Sequence, residues 1–429
     1  MREMKDSGIE WIGAIPQEWI TDRLQWHLKE INVSNNPIQT QNILSLTIEA
    51  GVIPYAEKGN QGNKAKEDYS QYKIAFPDTL VINSMNVIIG AVGISKYFGC
   101  VSPVYYVFEP IEGTDLRYIY YLFTNTGFQK EMRKYAKGIM EIRLRISSSD
   151  MLKRIVPIPS FEEQQRIADN LDKMCAEIDA VLEKTRASIE EYKKLKQAVI
   201  TQAVTKGVRG DRPMKNSGIE WIGEIANEFA VYKFKYLLKT PMQYGANEAG
   251  ITFDKTLPRY IRITDITSDG RLKQDNRLCI EDTVAKPYIL QDGDLLFARS
   301  GGTVGKSFLY KQSYGNAAFA GYLIRAVVNR TIAVPEYVYY YTNSSIYDTW
   351  KNSIFIQSTI QNIGADRYSN MPIIVPNNIE EQRSIVEYLN ERCVGIDALI
   401  RKKQQHLTEI ENYKKSLIYE YVTGKKEVV

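Results

Sequence analysis

Histidine is nearly absent from this sequence of 429 residues, which contains only His27 and His406. Because histidine is the usual general base and the commonest metal ligand, catalysis or metal binding of that kind has almost no material here. The four cysteines lie far apart, with no CxxC pair and no spacing typical of metal ligands. The sequence therefore argues against a structural zinc site and fits a reducing, cytoplasmic location.

Long hydrophobic runs are also missing. The most apolar stretch, residues 74–94, contains Asp78, Asn83 and Asn86, so we expect no membrane span. The first ten residues have no apolar core after their charges and predict no secretory signal. With 44% hydrophobic and 25% charged residues, the composition is that of a globular protein, and the length predicts two to four domains.

The motifs of self-sufficient enzymes are missing as well. Residues 300–307 read SGGTVGKS, which misses the Walker phosphate-binding pattern because the first glycine is one place off register. The chain has no GxSxG, HExxH or GxGxxG motif. It also lacks the Pro-Pro pair of the tetrapeptide with which amino-methyltransferases hold their target amine. We therefore expect no catalytic residue, no cofactor and no metal in this chain.

The sequence is a duplication. Residues 4–16 read MKDSGIEWIGAIP and residues 214–226 read MKNSGIEWIGEIA. A second matching pair of segments starts at Glu162 and Glu380 and continues without a gap for more than forty residues. Repeats of this length predict two copies of one unit, and we expect the repeated tryptophans, Trp11 and Trp221, to be core anchors.

A long polar segment ends each copy. Apolar residues recur there every three or four positions with Glu and Lys between them, which predicts amphipathic helices with a near-heptad repeat. Each helix of about 44 residues would span roughly 65 Å. The predicted stripes include Val181 and Leu399. Because neither stripe can remain in water, we expect an antiparallel coiled coil packed through Ile167, Leu171, Ile178, Ile189, Ile385, Leu389, Ile396 and Ile410.

The predicted fold class is α+β. Since the first helix leads from one globular half to the next and the second must run back beside it, we expect two similar globular domains separated by the helix pair and related by a pseudo-two-fold axis. The predicted boundaries are 1–159 for the first globular domain, 160–206 for the first helix, 207–213 for a linker, 214–377 for the second globular domain, 378–424 for the second helix and 425–429 for a tail.

The net charge of +4 is too small to identify a nucleic-acid partner by itself. Divided by segment, however, the positive excess lies in the globular halves, where loops carry basic clusters. Such loops can contact phosphates, and their polar side chains can read base edges, although a solvated loop is the alternative for each residue. The candidates are Lys58, Asn60, Lys64, Asn83, Ser84, Asn86, Lys134, Lys137, Arg143, Arg145, Arg259, Arg262, Thr264, Arg299, Ser300, Lys306, Gln357 and Gln361.

Taken together, these motifs resemble the specificity subunit of type I restriction–modification systems. The resemblance rests on SGIEWIG near the start of each half, on Pro-Ile-Pro before Glu-Glu-Gln-Gln-Arg-Ile at 162–167, and on the Glu-Glu-Gln-Arg copy at 380–383. Residues 259–266 (RYIRITDI) and 293–306 (GDLLFARSGGTVGK) are similar to the target-recognition domains of that family. The second copy departs modestly, since Val-Pro-Asn replaces Pro-Ile-Pro before its helix.

The resemblance implies a DNA-recognition subunit that is not catalytic alone. In that family, each of two target-recognition domains reads one half of a split DNA site. The paired helices set the unread spacer and dock two methyltransferase subunits, and restriction subunits join them. We would then expect double-stranded DNA as ligand, with S-adenosylmethionine, ATP and Mg²⁺ on the partner subunits and none on this chain.

Two alternatives stay open. The chain could be the specificity subunit of a related enzyme in which cleavage and methylation are fused. It could also be a tethering protein whose halves bind proteins, a function that its 29 tyrosines would suit, because tyrosine offers rigid contact area with a polar tip.

Overall fold

The structure is a computed structural model that describes residues 2–59, 68–138, 144–267, 270–356 and 361–428. The chain forms two compact units. Unit 1 comprises residues 1–186 and 405–429, and unit 2 comprises residues 187–404. Both boundaries fall inside a long helix, so each unit contains one globular part and a segment of each long helix. No helix among the described residues is long and apolar enough to span a membrane.

The globular part of unit 1 combines short strands with short helices. Its strands are β1 (Met4–Asp6), β2 (Ala14–Pro16), β3 (Ile20–Arg23), β4 (Leu28–Ile31), β5 (Leu44–Thr47), β6 (Gly51–Pro54), β7 (Lys73–Ala75), β8 (Thr79–Asn83), β9 (Val92–Ser95), β10 (Gly99–Val101), β11 (Tyr105–Pro110) and β12 (Ile155–Ile158). Its helices are α1 (Leu116–Thr124), α2 (Thr126–Arg133), α3 (Ser148–Leu152) and the first part of α4 (Phe161–Lys206).

The globular part of unit 2 has a similar element order, with one additional short helix. Its strands are β13 (Met214–Asn216), β14 (Glu224–Ala226), β15 (Phe229–Lys233), β16 (Gln243–Tyr244), β17 (Ile251–Thr252), β18 (Arg259–Ile261), β19 (Leu278–Cys279), β20 (Leu295–Ala298), β21 (Ser307–Leu309), β22 (Ala317–Phe319), β23 (Leu323–Ala326) and β24 (Pro372–Pro376). Its helices are α5 (Asp282–Ala285), α6 (Pro335–Tyr341), α7 (Ser345–Ile356), α8 (Ala365–Ser369) and the first part of α9 (Ile379–Val422). The additional helix is α5, which lies before strand β20.

An antiparallel four-stranded sheet with the same strand order lies at the centre of each unit: β4-β11-β8-β9 in unit 1 and β16-β23-β20-β21 in unit 2. Strands β8 and β20 are buried along their whole length, because successive side chains alternate between two cores. Leu80 and Val81 belong to different cores of unit 1, and Leu295 and Leu296 to different cores of unit 2. Strand β20 therefore has in unit 2 the place that β8 has in unit 1.

The repeated SGIEWIG segment forms the turn of the β1–β2 hairpin, and of β13–β14 in the second copy. Its glycines are required, since Gly8 and Gly13 adopt φ angles of 69° and 72° in the left-handed region. The ring of Trp11 packs 5.9 Å from that of Phe128. The prediction of a second core anchor was wrong, because Trp221 is 37% exposed and no described aromatic ring packs against it.

A buried glutamine fixes the start of each long helix to its globular part. Gln164 Nε2 donates to the carbonyls of Pro159 (3.1 Å) and Gly113 (3.3 Å), and its Oε1 accepts from Asp115 N at 2.9 Å. The third residue of the repeated Glu-Glu-Gln motif is therefore a connector that satisfies three backbone groups. We call this set of bonds the helix-start joint.

The helix-start joint recurs in unit 2. Gln382 Nε2 donates to the carbonyls of Pro376 and Ile332, both at 3.0 Å, and its Oε1 accepts from Val334 N at 2.8 Å. The preceding glutamate of the motif is also used in both copies. Glu163 pairs with Arg2 at 2.6 Å in unit 1, and Arg212 lies 2.7 Å from the matching Glu381 in unit 2.

A buried tyrosine ties the end of the other long helix to the same place. In unit 1, Tyr118 lies near two carbonyl oxygens, those of Pro157 at 2.8 Å and Val422 at 3.1 Å. Tyr337 has the same two kinds of neighbour in unit 2, Ile374 at 3.0 Å and Val204 at 3.2 Å. Each unit thus holds the start of one long helix and the end of the other against a common core.

The long helices run antiparallel within each unit. In unit 1, Asp179 pairs with Lys414 at 2.6 Å and Arg186 with Glu411 at 2.9 Å, so residue numbers rise along α4 as they fall along α9. In unit 2, Lys196 pairs with Asp397 at 2.7 Å. Two such pairs in unit 1, seven residues apart on α4, match the predicted antiparallel arrangement.

The buried apolar residues of the long helices follow the predicted period, except that the buried position shifts by one residue at one place. Val181 and Leu399 are exposed, although they were predicted to lie in the stripe, and Leu182 is buried beside Val181. A straight helix repeats every 3.6 residues, so a seven-residue pattern drifts and a neighbouring position takes over. Of the predicted packing residues, Ile178 and Ile410 are half-buried, and the buried ones are Ile167, Leu171, Ile189, Ile385, Leu389 and Ile396.

Replacing Gln164 by alanine should lower the free energy of unfolding by about 2–4 kcal/mol, because it leaves buried backbone groups without partners. The matched control is Gln165→Ala, at the next position of the same helix, where the side chain is exposed and the effect should stay within about 0.5 kcal/mol. Urea unfolding of the full chain measures the free energy of unfolding of both variants. Hydrogen exchange at the Asp115 amide of the folded protein then shows whether its hydrogen bond is lost. Equal effects of the two changes would contradict the joint.

Candidate nucleic-acid interface

A loop leaves the central sheet at the same place in each unit. Residues 84–91 connect β8 to β9, and residues 299–306 connect β20 to β21. The first residue of each loop is held by a distant segment of its own unit. The Ser84 carbonyl accepts from Ile146 N at 3.3 Å, and the Arg299 carbonyl accepts from Ile363 N at 2.9 Å. We call these two places the first and the second loop surface.

The polar residues of the first loop surface differ in accessibility. Asn83 is buried, and its Oδ1 accepts from Met85 N at 3.1 Å. Ser84 is also buried, and its hydroxyl has no hydrogen-bond partner among the described residues. Asn86 is half-buried at the start of a single 3₁₀ turn. Asn83 therefore supports the hairpin, and Asn86 is the more accessible of these three candidates.

The basic residues near the first loop surface are of two kinds. Lys134 is neutralised by Glu131 at 2.8 Å and Glu10 at 2.9 Å, and this lysine holds the pKa of Glu10 below its usual range. Lys137 and Arg145 exchange backbone hydrogen bonds of 2.8 and 2.9 Å, and both side chains are exposed. Neither forms an ion pair with any described residue, so both carry a positive charge that no described carboxylate balances directly.

Of five further candidates, one lies near an aromatic ring and four are not described by the structure. Lys58 is half-buried with its ammonium 5.0 Å from the centre of the Tyr55 ring. Four of the predicted contacts lie outside the described residues: Asn60, Lys64, Arg143 and Gln357.

Two arginines of unit 2 are engaged inside the protein. Arg259 is buried in β18 and donates to the carbonyl of Lys273, and burial lowers the pKa of its guanidinium. Arg262 pairs with Asp265 at 2.8 Å. That carboxylate also accepts from the Arg262 backbone N–H and closes a 3₁₀ turn that follows β18. Thr264 is exposed at this turn.

The second loop surface gathers most of the other candidates. Arg299 lies with its guanidinium carbon 4.9 Å from the centre of the Tyr244 ring. Ser300 pairs with Asn362 in an antiparallel bridge, which brings the exposed Gln361 beside the loop. Lys306 is exposed at the end of the loop and has no ion-pair partner in the described part of the chain.

Sequence reasoning missed two tyrosines at the second loop surface. Tyr244 is 42% exposed and Tyr322 is 62% exposed, and the carbonyl of Tyr322 accepts from Arg299 N at 3.1 Å. The high tyrosine content was the available signal, but it does not separate these residues from buried ones such as Tyr118 and Tyr337. Only the sheet pairing places them beside the loop.

The two loop surfaces differ in charge although their scaffolds correspond. Residues 84–91 include no charged side chain, whereas residues 299–306 include Arg299 and Lys306 and no acid. At matched places, one unit therefore offers uncharged groups and the other offers cationic donors. Among the described stretches, no cluster of three or more His, Cys, Asp or Glu side chains could hold a metal ion.

Comparison with known proteins agrees with this architecture. A family model described as the type I restriction modification DNA specificity domain matches residues 27–191 and 259–411. The chain is 23% identical over 310 residues to the type I restriction enzyme EcoKI specificity subunit of Escherichia coli K12, covering 70% of this chain and 64% of that protein. It is 21% identical over 316 residues to the StySPI specificity subunit of Salmonella potsdam, covering 72% and 65%. These alignments span just under two thirds of either relative.

A solved chain from work on complex assembly and conformational transition of the type I R-M system has a similar fold. Its TM-score is 0.67 at 14% sequence identity, and the match covers 96% of this chain and 99% of that one. The identity is low, so this likeness concerns the fold alone.

Proposed function

Because the chain belongs to the family of type I restriction modification DNA specificity domains, we propose that it is a DNA-recognition subunit in which each unit reads one half of an asymmetric, bipartite site. The observation that carries this proposal is the pair of loop surfaces. They leave the same sheet position in both units and differ in chemistry. A common scaffold with divergent loops suits two readers of different half-sites.

Exposed cations supply the phosphate contacts in this proposal. Lys137 and Arg145 in unit 1 and Lys306 in unit 2 have no described acidic partner, so their charge is available to a polyanion. Phosphate contacts fix the position of the protein on the duplex, whereas loop side chains such as Asn86 and Thr264 reach base edges. The remaining candidate contacts stay predictions.

We further propose that the long helices set the unread spacer and that partner subunits perform the chemistry on DNA in the cytoplasm. Two methyltransferase subunits would carry S-adenosylmethionine, and restriction subunits would use ATP and Mg²⁺. This division of labour is supported by a sequence with two histidines and no nucleotide-binding or amino-methyltransferase motif. The chain itself would then be a recognition subunit without catalysis.

Exposed apolar residues at matched helix positions support the docking of two partners. Under the duplication Val181 corresponds to Leu399, and Leu195 to Tyr413, and each of the four side chains is 45–53% exposed. In unit 1, Val181 lies two residues after Asp179 and Tyr413 directly precedes Lys414, and Asp179 and Lys414 form an ion pair between the helices. In unit 2, Leu195 directly precedes Lys196 and Leu399 lies two residues after Asp397, the partners of the corresponding ion pair. One apolar pair in each unit suits one methyltransferase subunit per unit.

Inserting one heptad after Arg186 and one after Gln404 should lengthen the gap in the recognised site by about three base pairs, since seven helical residues add roughly 10.5 Å and a base-pair step spans about 3.4 Å. Both half-sites should stay unchanged. The measurement is methylation, by the complex of this chain with its methyltransferase partner, of duplexes that differ only in spacer length.

A seven-residue insertion after Gly210, in the segment between α4 and β13, is the matched control and should leave the gap unaltered. An unchanged gap in the double-heptad variant would refute the spacing role of the helices. Sequence-independent methylation by the unaltered complex would refute DNA recognition by this chain, and binding of protein ligands alone would favour a tethering function.

Replacing Val181 and Tyr413 together by aspartate should remove one methyltransferase subunit from the complex, because two buried charges would oppose apolar docking. Replacing Leu195 and Leu399 should remove the other. Native mass spectrometry of the co-expressed complex counts the subunits. The control is Val394→Asp, an exposed apolar position whose duplicate is Ala176, and it should retain two partners. If the variant with all four replacements still bound two methyltransferase subunits, the proposed docking sites would be wrong.

A further inference from the structure

Polar side-chain atoms without a hydrogen-bond partner gather at the second loop surface. Among the described residues, these buried atoms include Arg299 Nε, Thr303 Oγ1 and Asn362 Oδ1. They lie on two adjacent segments, since Ser300 pairs with Asn362 and the Arg299 carbonyl accepts from Ile363 N. Buried polar groups in folded proteins are almost always hydrogen-bonded, so these two segments keep polar groups that the described residues leave unused.

Arg299 is held as a rigid but unpaired donor. Its backbone N–H donates to Tyr322 at 3.1 Å, its carbonyl accepts from Ile363, and its guanidinium lies over the ring of Tyr244. The Tyr244 hydroxyl is fixed in turn by accepting from Ala365 N at 3.0 Å. No described acidic residue pairs with Arg299.

The contrast with a structural arginine of the same sheet is direct. Arg325 Nε on β23 is also buried without a well-directed hydrogen bond, but it lies 2.8 Å from the buried carboxylate of Asp294, so the charge of Arg325 is balanced inside the unit. Arg299 receives only the face of an aromatic ring, which orients a guanidinium without occupying its N–H groups. Because Nε is buried, the two terminal amino groups of Arg299 are the donors that remain available to a ligand with two acceptors.

We propose, building on the DNA-recognition function above, that Arg299 reads a guanine in the half-site bound by unit 2. Guanine presents O6 and N7 as two acceptors on its major-groove edge, which match the guanidinium fork. Tyr244 positions the guanidinium, and the exposed ring of Tyr322 supplies rigid contact area beside it. Gly301 and Gly302 carry no side chain that would hold the loop away from the duplex.

The inference also predicts asymmetry between the half-sites. Ser84 occupies the place of Arg299 in unit 1, because the carbonyls of both residues accept from corresponding segments. A serine hydroxyl has no two-donor fork, so unit 1 does not make this guanine contact. The two halves of the site should then differ at the base pair that faces this position.

The test uses the complex of the full chain with its methyltransferase partner and duplexes of the methylated site in which each base pair is replaced in turn. The unaltered complex should prefer guanine at one position of one half-site by about 5- to 100-fold in affinity. In Arg299→Gln this preference should fall to about twofold or less, with preferences elsewhere unchanged. Arg299→Lys keeps the charge without the fork and should lose most of the preference.

Arg330→Gln is the matched control, since Arg330 is exposed near the opposite end of β20, beside Asp292, and its replacement should alter no base preference. An unchanged guanine preference in Arg299→Gln overturns the inference and leaves the recognition function standing. Uniform weakening on all duplexes also overturns it and assigns Arg299 to a phosphate. A complex without any sequence preference overturns both proposals.

Discussion

The buried glutamine at the start of each long helix is the interaction on which the rest of the molecule depends. Gln164 and Gln382 each satisfy three backbone groups that would otherwise be buried without partners, and loss of one such glutamine should cost about 2–4 kcal/mol in all. Because amide hydrogen bonds are directional, the glutamine also fixes how the helix leaves its unit. Tyr118 and Tyr337 join the end of the other helix to the same place. Recognition by loops and spacing by helices can be coupled only if this joint is rigid.

The buried polar contacts described above recur in the two units, whereas the exposed loop residues differ between them. The helix-start joint, the paired tyrosines and the central strand order recur in both units, since a change in any of them leaves unsatisfied groups or a cavity. Part of the loop after β8 is buried, as at Val87 and Ala91, but substitutions at the exposed positions of the two loops change stability by about 0.5 kcal/mol or less. New half-site preferences can therefore arise in one unit without unfolding it.

Much of the scaffold could be predicted from the sequence because it depends on periodic and repeated patterns of residues. The helices, their antiparallel pairing and the two similar units all follow from apolar periodicity and duplication. The site was less predictable, since it depends on which polar group finds a partner. Asp265 accepts a hydrogen bond from the Arg262 backbone and pairs with its guanidinium, so this predicted DNA contact is engaged within its own turn. Arg259 is buried and donates to the carbonyl of Lys273. The guanidinium of Arg299 instead lies over the ring of Tyr244, which belongs to the distant strand β16. No local pattern distinguishes these arginines.

The central claim is that two units of one chain read two different half-sites at a distance set by the helices. Mapping methylated bases across the genome of the host, with and without this chain, tests it most directly. The account predicts one motif that disappears with the chain, made of two unlike short halves separated by a gap of fixed length. A continuous or palindromic motif, or a methylation pattern that does not depend on this chain, would contradict it.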